Sequence, residues 1–478
     1  AFSAPFEVSR NAVTVPVLQL AKTTANLKGI TLTSQKPLLE VKADKMVVNV
    51  EGTINAVGSD ALELLRKSPG ILVDKDDNLS LSGKNGVQVY IDGKPSPLSG
   101  TDLANYLKSL NSSQVEAIEI ISNPSAKYEA AGNAGIINIR LKKNKSLGMN
   151  GSVNAGWNIG TYAKYNTGIS LNYRNKKINL FGNYSYNQAK MENKVGIYRT
   201  VADSLFDQSG RIIMNNESHN FKAGLDYFID KKNTIGVMVN GNLSDPDFNN
   251  KSTTPISYMP TGKVDRILVA DNTSLKISNN VNANLNYSYT GKAGKSLQVN
   301  ADHGWYDINS NQLQPNYYYD ATGKTLINSV VYRMIAPTTI NINSVKADWE
   351  QPFKKGTLGF GGKYANVKTD NDFQRYNINS GLESIDKDRS NLFTYKENIG
   401  AAYVNYSRAL KGITLQAGVR MEHTNAKGIS TGQKIVAGNY TAYSETFNRS
   451  YTDFFPSASI SFTKKPTNQF SINYSRRI

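Results

Sequence analysis

Short basic turns recur along the last two thirds of this chain. They occupy residues 174–177, 230–233, 291–295, 353–356, 410–412 and 464–466. The turns return every ~55–62 residues, a spacing that is too long for a solenoid repeat and fits a pair of long strands with a loop. We therefore expect a series of hairpins with short turns on one side and longer connections on the other.

The segments on both sides of these turns alternate apolar and polar residues. In the stretch 281–285, Val281, Ala283 and Leu285 interleave with Asn282 and Asn284. This period of two predicts strands with one apolar face. Short turns opposite long loops are typical of an outer-membrane β-barrel, in which Leu285 would face lipid and Asn284 the lumen.

The composition is compatible with a barrel although a hydropathy plot would suggest a soluble protein. Only 39% of the 478 residues are hydrophobic, and no run approaches the ~20 apolar residues of a membrane helix. Alternating strands dilute their apolar face with lumen-facing polar residues, so low hydropathy does not exclude a barrel. The chain has no cysteine, which excludes disulfides and thiolate metal sites.

The net charge of +17 raises the alternative of a nucleic-acid-binding protein. The lysines, however, neither follow one face of a helix nor cluster in one tract. Many of them lie in the short turns, which favours solvated turns at a membrane edge. We therefore predict no nucleic-acid partner.

Residues 41–145 have the pattern of a compact α+β unit. Asp60 followed by Glu63 predicts the start of a short helix, and Pro69–Gly70 predicts its end. Asp92–Gly93 is a tight-turn signal between strands. A second helix is expected near 102–110, and the last strand at 136–139.

From Gly148 onward, alternation predicts about 13 strands. They centre near Val153, Leu171, Leu180, Leu225, Val237, Leu285, Val299, Val345, Phe360, Tyr403, Leu415, Ile460 and Ile472. The polar stretch 245–272 is among the expected long loops. Because an odd number of strands leaves an edge unpaired in lipid, we expect the barrel to continue past Ile478. Residues 1–27 have strand-like stretches but too little chain for a core of their own, so we expect the chain to begin within a domain.

The unit at 41–145 resembles the plug domain of TonB-dependent outer-membrane receptors. Three stretches match in order and spacing: 61–71, 89–95 and 118–139. The last of these, with Asn-Pro-Ser-Ala-Lys-Tyr-x-Ala-x-Gly-Asn-Ala-Gly, is similar to the Bacteroidota branch of that superfamily. The plug-motif residues are Pro69, Gly70, Asp92, Gly93, Pro124, Tyr128, Gly132, Gly135 and Asn138.

This resemblance implies a mainly β protein, with a transmembrane antiparallel β-barrel and an α+β plug domain in its lumen. The family barrel has 22 strands, of which about 13 would be present here. The expected domains are the tail of an upstream β-sandwich-like domain (1–27), a TonB-box-like segment and linker (28–40), the plug (41–145) and the N-terminal part of the barrel (146–478).

The resemblance also implies active import of a scarce, large ligand, such as an iron chelate, cobalamin, a peptide or a glycan. An inner-membrane complex would supply the energy through TonB. The TonB-box-like residues are Gly29, Ile30, Thr31, Leu32, Thr33 and Ser34. They are uncharged and β-prone, which suits strand addition to a partner; an ordinary interdomain strand is the alternative.

A second hypothesis is a non-transporting structural or assembly partner in an outer-membrane complex. Under either hypothesis the barrel contacts outer-membrane lipid, and a surface lipoprotein or a larger outer-membrane complex remains open as a partner. One sequence does not identify the ligand, because specificity resides in loops and plug apices.

Other candidate residues have two interpretations each. The cluster Tyr317, Tyr318 and Tyr319 could contact a ligand or form an aromatic girdle. Gly132 and Gly135 could form a slim hairpin pressed against the barrel wall or a ligand-facing apex. Asp74, Asp76 and Asn78 resemble the opening of a calcium loop but lack its glycine and closing Glu, which favours a solvated turn.

The three histidines, His219, His303 and His423, are isolated on separate predicted strands. They have neither metal-ligand spacing nor a nucleophile partner. We therefore predict no catalytic residues, no metal, no cofactor and no enzymatic activity.

Overall fold

The computed structural model describes residues 37–41, 45–50, 59–74, 77–96, 98–132, 134–142, 147–465 and 468–477. The expected upstream domain tail and the TonB-box-like segment lie outside these residues. Within the described ranges, no helix is long and apolar enough to cross a membrane.

The N-terminal part of the described chain is a small α+β unit, which we call the plug. Its elements are β1 (Leu39–Val41), β2 (Met46–Asn49), α1 (Ala61–Arg66), β3 (Ile71–Val73), β4 (Leu79–Leu81), β5 (Gln88–Ile91), β6 (Lys94–Pro95), α2 (Gly100–Ser109), β7 (Val115–Ile121) and β8 (Ile136–Leu141). Six strands form one sheet in the order β1-β2-β7-β8-β5-β6, while β3 and β4 form a separate ribbon.

Both plug helices start and pack as the sequence predicts. The Asp60 side chain caps α1 by accepting a hydrogen bond of 2.8 Å from the Glu63 backbone N–H, which satisfies a donor that the first turn leaves free. Leu62 and Leu65 of α1 are buried against the sheet with Leu107 of α2. This shared apolar core holds the plug together.

The remainder of the chain is one large antiparallel sheet. Its strands are β9 (Gly148–Ile159), β10 (Ala163–Arg174), β11 (Ile178–Val201), β12 (Ser204–Phe228), β13 (Asn233–Tyr258), β14 (Lys263–Thr290), β15 (Ser296–Asp320), β16 (Leu326–Ile335), β17 (Thr338–Phe353), β18 (Gly356–Asn379), β19 (Leu382–Ile385), β20 (Asn391–Leu410), β21 (Ile413–Val436), β22 (Asn439–Lys465) and β23 (Asn468–Ser475). We call this sheet the barrel wall.

Each of the 13 residues predicted as strand centres lies in a separate strand of this 15-stranded wall, which confirms the strands. Several of these residues, such as Leu180 and Leu415, lie near the basic-turn end of a strand and not at its centre. The strands β16 and β17 are two halves of one strand, because both pair with β15 and β18 on either side of Ala336–Pro337. Among the described strands, the short β19 pairs only with the outer end of β18. The five basic turns from 174–177 to 410–412 connect neighbouring strands of this wall, and the sixth begins at the end of β22, with Pro466 outside the described residues.

The side chains of the wall alternate between an apolar outer face and a polar inner face. Leu285 is 54% exposed, whereas its neighbour Asn284 is 6% exposed, which confirms the predicted register. A shift of one residue would exchange the two faces. The exposed apolar side chains on the other strands, such as Val153, Leu225 and Phe360, form the outer surface.

The predicted loop at 245–272 is wrong. The structure continues β13 to Tyr258 and starts β14 at Lys263, leaving only the turn 259–262. Strands of up to 28 residues are far longer than the ~9–11 needed to cross a bilayer. Beyond the membrane both faces of a strand meet water, so the apolar alternation that identifies a strand disappears there.

The two ends of these hairpins are expected on opposite sides of the membrane. Thr261 lies at the tip of the β13–β14 hairpin, and Lys355 lies in the short turn between β17 and β18. We expect a Thr261→Cys variant to react with an impermeant maleimide on intact cells, because long extensions face outward in this class of barrel. A Lys355→Cys variant should react only after lysis. The chain has no native cysteine, so labelling of Lys355→Cys alone on intact cells would contradict this orientation.

Candidate functional site at the plug–barrel contact

Three residues of the predicted plug motif meet at the β5–β6 hairpin. Asp92 and Gly93 form its turn with φ of 51° and 81°, the left-handed pair that a type I′ turn requires. The Asp92 carboxylate accepts a hydrogen bond of 2.8 Å from the Leu141 N–H. The side-chain oxygen of Asn138 accepts one of 2.8 Å from the Gly93 N–H, so β8 holds the hairpin in place.

The buried carboxylate of Glu119, on β7, holds the Asn138 side chain in this position. Asn138 donates from its amide to Glu119 at 2.8 Å, and Lys45 donates to the same carboxylate at 3.1 Å. Burial alone would raise the pKa of Glu119, but these two hydrogen bonds, together with the charges of Lys45 and Arg140, outweigh burial and lower it. Glu119 is therefore ionised at neutral pH and links β2, β7 and β8.

The tip of the hairpin contacts the barrel wall through ion pairs. The ammonium group of Lys222, on β12, lies 2.6 Å from the Asp92 carboxylate, with only 5% of the Lys222 side chain exposed. On the other side of the turn, Lys94 pairs with Asp302 of β15. Asn284 donates to the same Asp302 carboxylate at 2.7 Å, so this buried amide positions a charge for the plug.

A second plug segment, residues 122–135, packs on the same sheet. Pro124 is fully buried, and the ring of Tyr128 meets that of Tyr90 edge-on at 6.3 Å. Burial, followed by the nearby carboxylate of Glu129, raises the pKa of Tyr90 well above its ordinary value. Tyr90 therefore acts as a packed neutral ring.

The glycines of this segment serve the plug interior. Gly132 and Gly135 have φ of 92° and 117°. A Cβ at Gly132 would lie 2.5 Å from the Gln88 Cγ, and one at Gly135 would lie 2.6 Å from the Ile121 carbonyl oxygen. The expected close approach is therefore to the plug's own strands and not to the barrel wall. The alternative of a ligand-facing apex stays a prediction.

The backbone and charges of this segment nevertheless reach the wall. Lys127 lies 3.0 Å from the Glu350 carboxylate, and Glu129 pairs with Lys363. The Ala130 N–H donates to Glu422 at 3.2 Å. Arg477 donates to the Ala131 carbonyl at 3.0 Å.

The wall residues of this contact were missed by the sequence analysis. Arg420 is 2% exposed and Glu422 is 7% exposed, and the Arg420 Nε lies 2.5 Å from the Glu422 carboxylate. Nearby, Tyr403 donates to the Asp348 carboxylate at 2.6 Å. The sequence does contain a signal for these two residues. Arg420 and Glu422 are charged, and they occupy inner-face positions that alternate with the apolar Val419 and Met421.

The predicted motif residues Pro69 and Gly70 lie apart from this contact. They follow α1, and Gly70, with φ of 75°, accepts a hydrogen bond of 2.7 Å from the Ser82 N–H. In the calcium-loop-like stretch, Asp74 accepts from the Asn78 N–H at 2.9 Å. Asp77 pairs with Lys108 at 2.6 Å. The carboxylates of Asp74 and Asp77 are thus engaged within the plug, whereas Asp76 lies outside the described residues.

The tyrosine cluster and the histidines lie on the barrel wall. Tyr317, Tyr318 and Tyr319 are consecutive residues of β15, so their rings alternate between the two faces of the sheet and do not share one surface. Each histidine has a separate neighbour: Tyr184 for His219, Asn343 for His303 and Thr452 for His423.

Gaps between the plug and the wall lie among the described residues. A cavity of 320 Å³ is lined by Lys45 and Gly70 of the plug and by Gln416, Ser459 and Asn473 of the wall. A smaller one of 120 Å³ lies beside the β5–β6 hairpin and Tyr306. The larger of these volumes is at the lower end of the ≈ 300–1,000 Å³ that is usual for the pocket of a drug-sized ligand.

Residues 290–478 match the model of the outer membrane protein beta-barrel family. No curated protein matches the chain.

Several solved outer-membrane receptors align with most of the chain at low identity. The ferric enterobactin receptor PfeA aligns at 9% identity over 91% of this chain and 94% of its own, with a TM-score of 0.37. The ferric-catecholate import receptor Fiu from E. coli K12 aligns at 10% identity over 90% of this chain and 84% of its own, with a TM-score of 0.39. The siderophore receptor PirA from Pseudomonas aeruginosa aligns at 13% identity over 93% of this chain and 96% of its own, with a TM-score of 0.34. At this level of agreement these receptors bear on neither the ligand nor the mechanism of this chain.

Proposed function

The chain is an outer-membrane β-barrel protein with a plug on the inner face of its wall, and we propose that it imports a scarce, large ligand with energy delivered through TonB. The observation that carries this proposal is the set of charge contacts between plug and wall. Two separate plug segments, at 92–94 and 127–131, are held by residues of five different wall strands and by Arg477.

Such contacts favour a transporter that is closed at rest. The pair of Lys222 with Asp92 is buried on both sides, and removing one partner of a buried ion pair typically costs about 3–5 kcal/mol. Displacing the plug from this contact therefore requires an outside source of energy. Strand β1 lies at the edge of the plug sheet, which is the position where a force on the N-terminal segment would act on the plug. Strand β1 pairs only with β2 among the described strands, so a force from that side reaches an edge strand first.

We propose that residues 29–34 receive that force. The segment lies outside the described residues, and the proposal rests on its uncharged, β-prone sequence just before the plug. A periplasmic partner can add a strand to such a segment through its backbone hydrogen bonds.

A Leu32→Pro variant tests the proposal. Proline lacks the N–H that strand addition uses and fixes φ, so uptake should be abolished while the amount of protein in the outer membrane stays unchanged. The measurement is growth under a condition in which a strain lacking the chain grows poorly. The matched control is Leu32→Val, which keeps the N–H and a β-prone side chain and should grow like the wild type.

The alternative function predicts the opposite growth result. A structural or assembly partner needs no pulling force, so Leu32→Pro would then restore growth fully. Full restoration would overturn the transport proposal and favour the assembly role, for which the wall strands that extend far beyond a bilayer offer a large surface.

A further inference from the structure

The short turns at one end of the barrel wall carry a concentrated positive charge. Five of them contain ten Lys or Arg residues and one acidic residue, Asp230. We call these five turns the basic rim: 174–177, 230–233, 291–295, 353–356 and 410–412. The connections at the opposite end contain three basic and three acidic residues, so their charges balance. These connections are 160–162, 202–203, 259–262, 321–325, 380–381, 386–390 and 437–438.

The ammonium groups of the basic rim are open to solvent. All nine lysines of the rim are exposed, and within the described part of the chain none of them forms an ion pair. The carboxylate of Asp230 accepts hydrogen bonds from the backbone N–H groups of Lys232 and Asn233 at 2.6 and 2.8 Å, so it is engaged within its own turn. The rim therefore offers its positive charge to an anion from outside the chain.

Two lysines of the rim occupy backbone positions that suit other residues better. Lys354 and Lys355 form the two-residue turn between β17 and β18, with φ of 44° and 63°. Hairpin turns with two left-handed positions strongly prefer Asn-Gly or Asp-Gly, because residues with a Cβ rarely adopt positive φ. Two charges are thus kept here against the local backbone preference, which is the kind of departure expected at a functional position.

The apolar outer face of the wall begins directly at the basic rim. On β21, Ile413 follows the turn at 410–412. The outer face stays apolar through Val419 and Met421, which are 38% and 39% exposed, and becomes polar at His423. The distance from Ile413 to His423 is about 34 Å along a strand at ~3.4 Å per residue, or about 26 Å in height at a tilt of roughly 40°. This height matches the apolar band of about 25 Å that such barrels place in lipid, so the rim lies at one boundary of the hydrocarbon core.

Aromatic side chains mark the same boundary. Tyr173 and Tyr227 lie beside turns of the rim and are 43% and 46% exposed. The rings of Tyr289 and Trp349, on strands that end at other turns of the rim, stack at 6.5 Å. Tyr and Trp rings are enriched at the headgroup level of a membrane. The ammonium groups just beyond these rings are therefore at the depth of the lipid phosphates.

We propose that the basic rim binds the phosphate groups of anionic phospholipids in the adjoining leaflet, which is the inner leaflet when the short turns face the periplasm. Lysines near an anionic membrane surface attract its lipids electrostatically. Consecutive turns of the rim are two strands apart, roughly 10 Å at ~4.8 Å per strand, so each turn can meet a headgroup of its own. A line of separate turns differs from the broad patch of ≈ 800 Å² per partner that a standard protein interface covers.

The test uses the full chain in phosphatidylcholine bilayers and measures which lipid lies beside the basic rim. The chain has three tryptophans, so Trp157→Phe and Trp305→Phe leave Trp349 as the single fluorophore, close to the rim. Phosphatidylglycerol or phosphatidylcholine that is brominated on its acyl chains then quenches Trp349 in proportion to its occupancy. We expect phosphatidylglycerol to bind there about fivefold more tightly, the ratio that one lysine near an anionic surface supplies.

Removing the charges close to Trp349 should abolish this preference. Lys292→Gln, Lys295→Gln, Lys354→Asn and Lys355→Gly remove four charges, and the Asn-Gly pair suits the turn better than two lysines. The ratio should fall to about one, while quenching by brominated phosphatidylcholine reports that Trp349 is still in the bilayer. The matched control changes four exposed lysines away from the rim to Gln and should leave the ratio unchanged. These are Lys263, Lys324, Lys396 and Lys427.

Added salts separate a lipid phosphate from a free phosphate ion. Inorganic phosphate and sodium chloride at equal ionic strength should lower the ratio equally, because both act only by screening. A larger loss with inorganic phosphate would show that the rim binds the free ion, and would overturn the proposal. A ratio near one for the wild-type rim, as expected if it meets an acidic protein or only water, would overturn it too, as would equal losses in the two sets of variants. The measurement involves no imported ligand, so its outcome leaves the proposed transport function unaffected.

Discussion

Replacing Arg420 with Met is expected to destabilise the protein by about 3–5 kcal/mol, the usual consequence of leaving one buried charge without its partner. Arg420 is 2% exposed, and its Nε lies 2.5 Å from the Glu422 carboxylate. Without the guanidinium, Glu422 would keep the hydrogen bond from the Ala130 N–H but lose its charged partner. The measurement is urea unfolding of the full chain in detergent, together with hydrogen exchange at Ala130.

The control for this prediction removes both charges. A double variant, Arg420→Met with Glu422→Leu, should recover part of the lost stability, because it leaves no unpaired charge in the interior. Recovery is incomplete because the Ala130 N–H loses its acceptor. If the single and double variants unfold at the same urea concentration, the ion pair does not secure the plug. The plug would then be held mainly by the Lys222–Asp92 and Lys94–Asp302 contacts.

The second large effect is expected from Gly135→Ala. Gly135 has φ of 117°, a conformation that L-residues rarely adopt. An added Cβ would also lie 2.6 Å from the Ile121 carbonyl oxygen and 3.1 Å from the Ser122 Cα. Because these are backbone atoms inside the plug, they cannot move aside cheaply. We expect a cost of about 3 kcal/mol or more to the plug, combining strain and overlap.

Gly93→Ala is the matched control, because the alanine would have the same kind of backbone strain but its Cβ would not overlap another atom. Gly93 has φ of 81°, and a Cβ added there would have no atom within 4 Å beyond its own chain neighbours. We expect a cost of only about 1 kcal/mol there. Limited proteolysis of the plug and its hydrogen exchange should separate the two variants. Equal protection in both would mean that the segment 122–135 adjusts its backbone around Gly135.

Local patterns predict the strands, turns and helices of this chain well. The alternation around Leu285 and Asn284 places one side chain on the outer face and the other in the interior, as expected. The cap at Asp60 and the turn at Asp92–Gly93 depend on residues within a few positions of each other. Such features involve few atoms and short distances along the chain, so composition and spacing suffice to predict them.

The same patterns fail where neither face of a strand is apolar. The sequence predicts a loop at 245–272, yet most of these residues lie in strands, since polar residues on both faces hide the period of two. At 317–319 the strand places Tyr317 and Tyr319 on one face and Tyr318 on the other, and a role of these residues in ligand contact stays a prediction. The role of the box-like residues Gly29–Ser34 stays a prediction, because they lie outside the described residues.

The order of residues determined the type of architecture. It is a wall of strands with alternating apolar and polar residues and basic turns at one end, and a compact α+β unit precedes this wall in the chain. What only the tertiary structure decided is which distant residues meet. Asp92 and Lys222 are 130 positions apart, and Ala130 and Glu422 are 292 apart. Charge contacts over such separations depend on the register of every intervening strand, so no local sequence pattern predicts them.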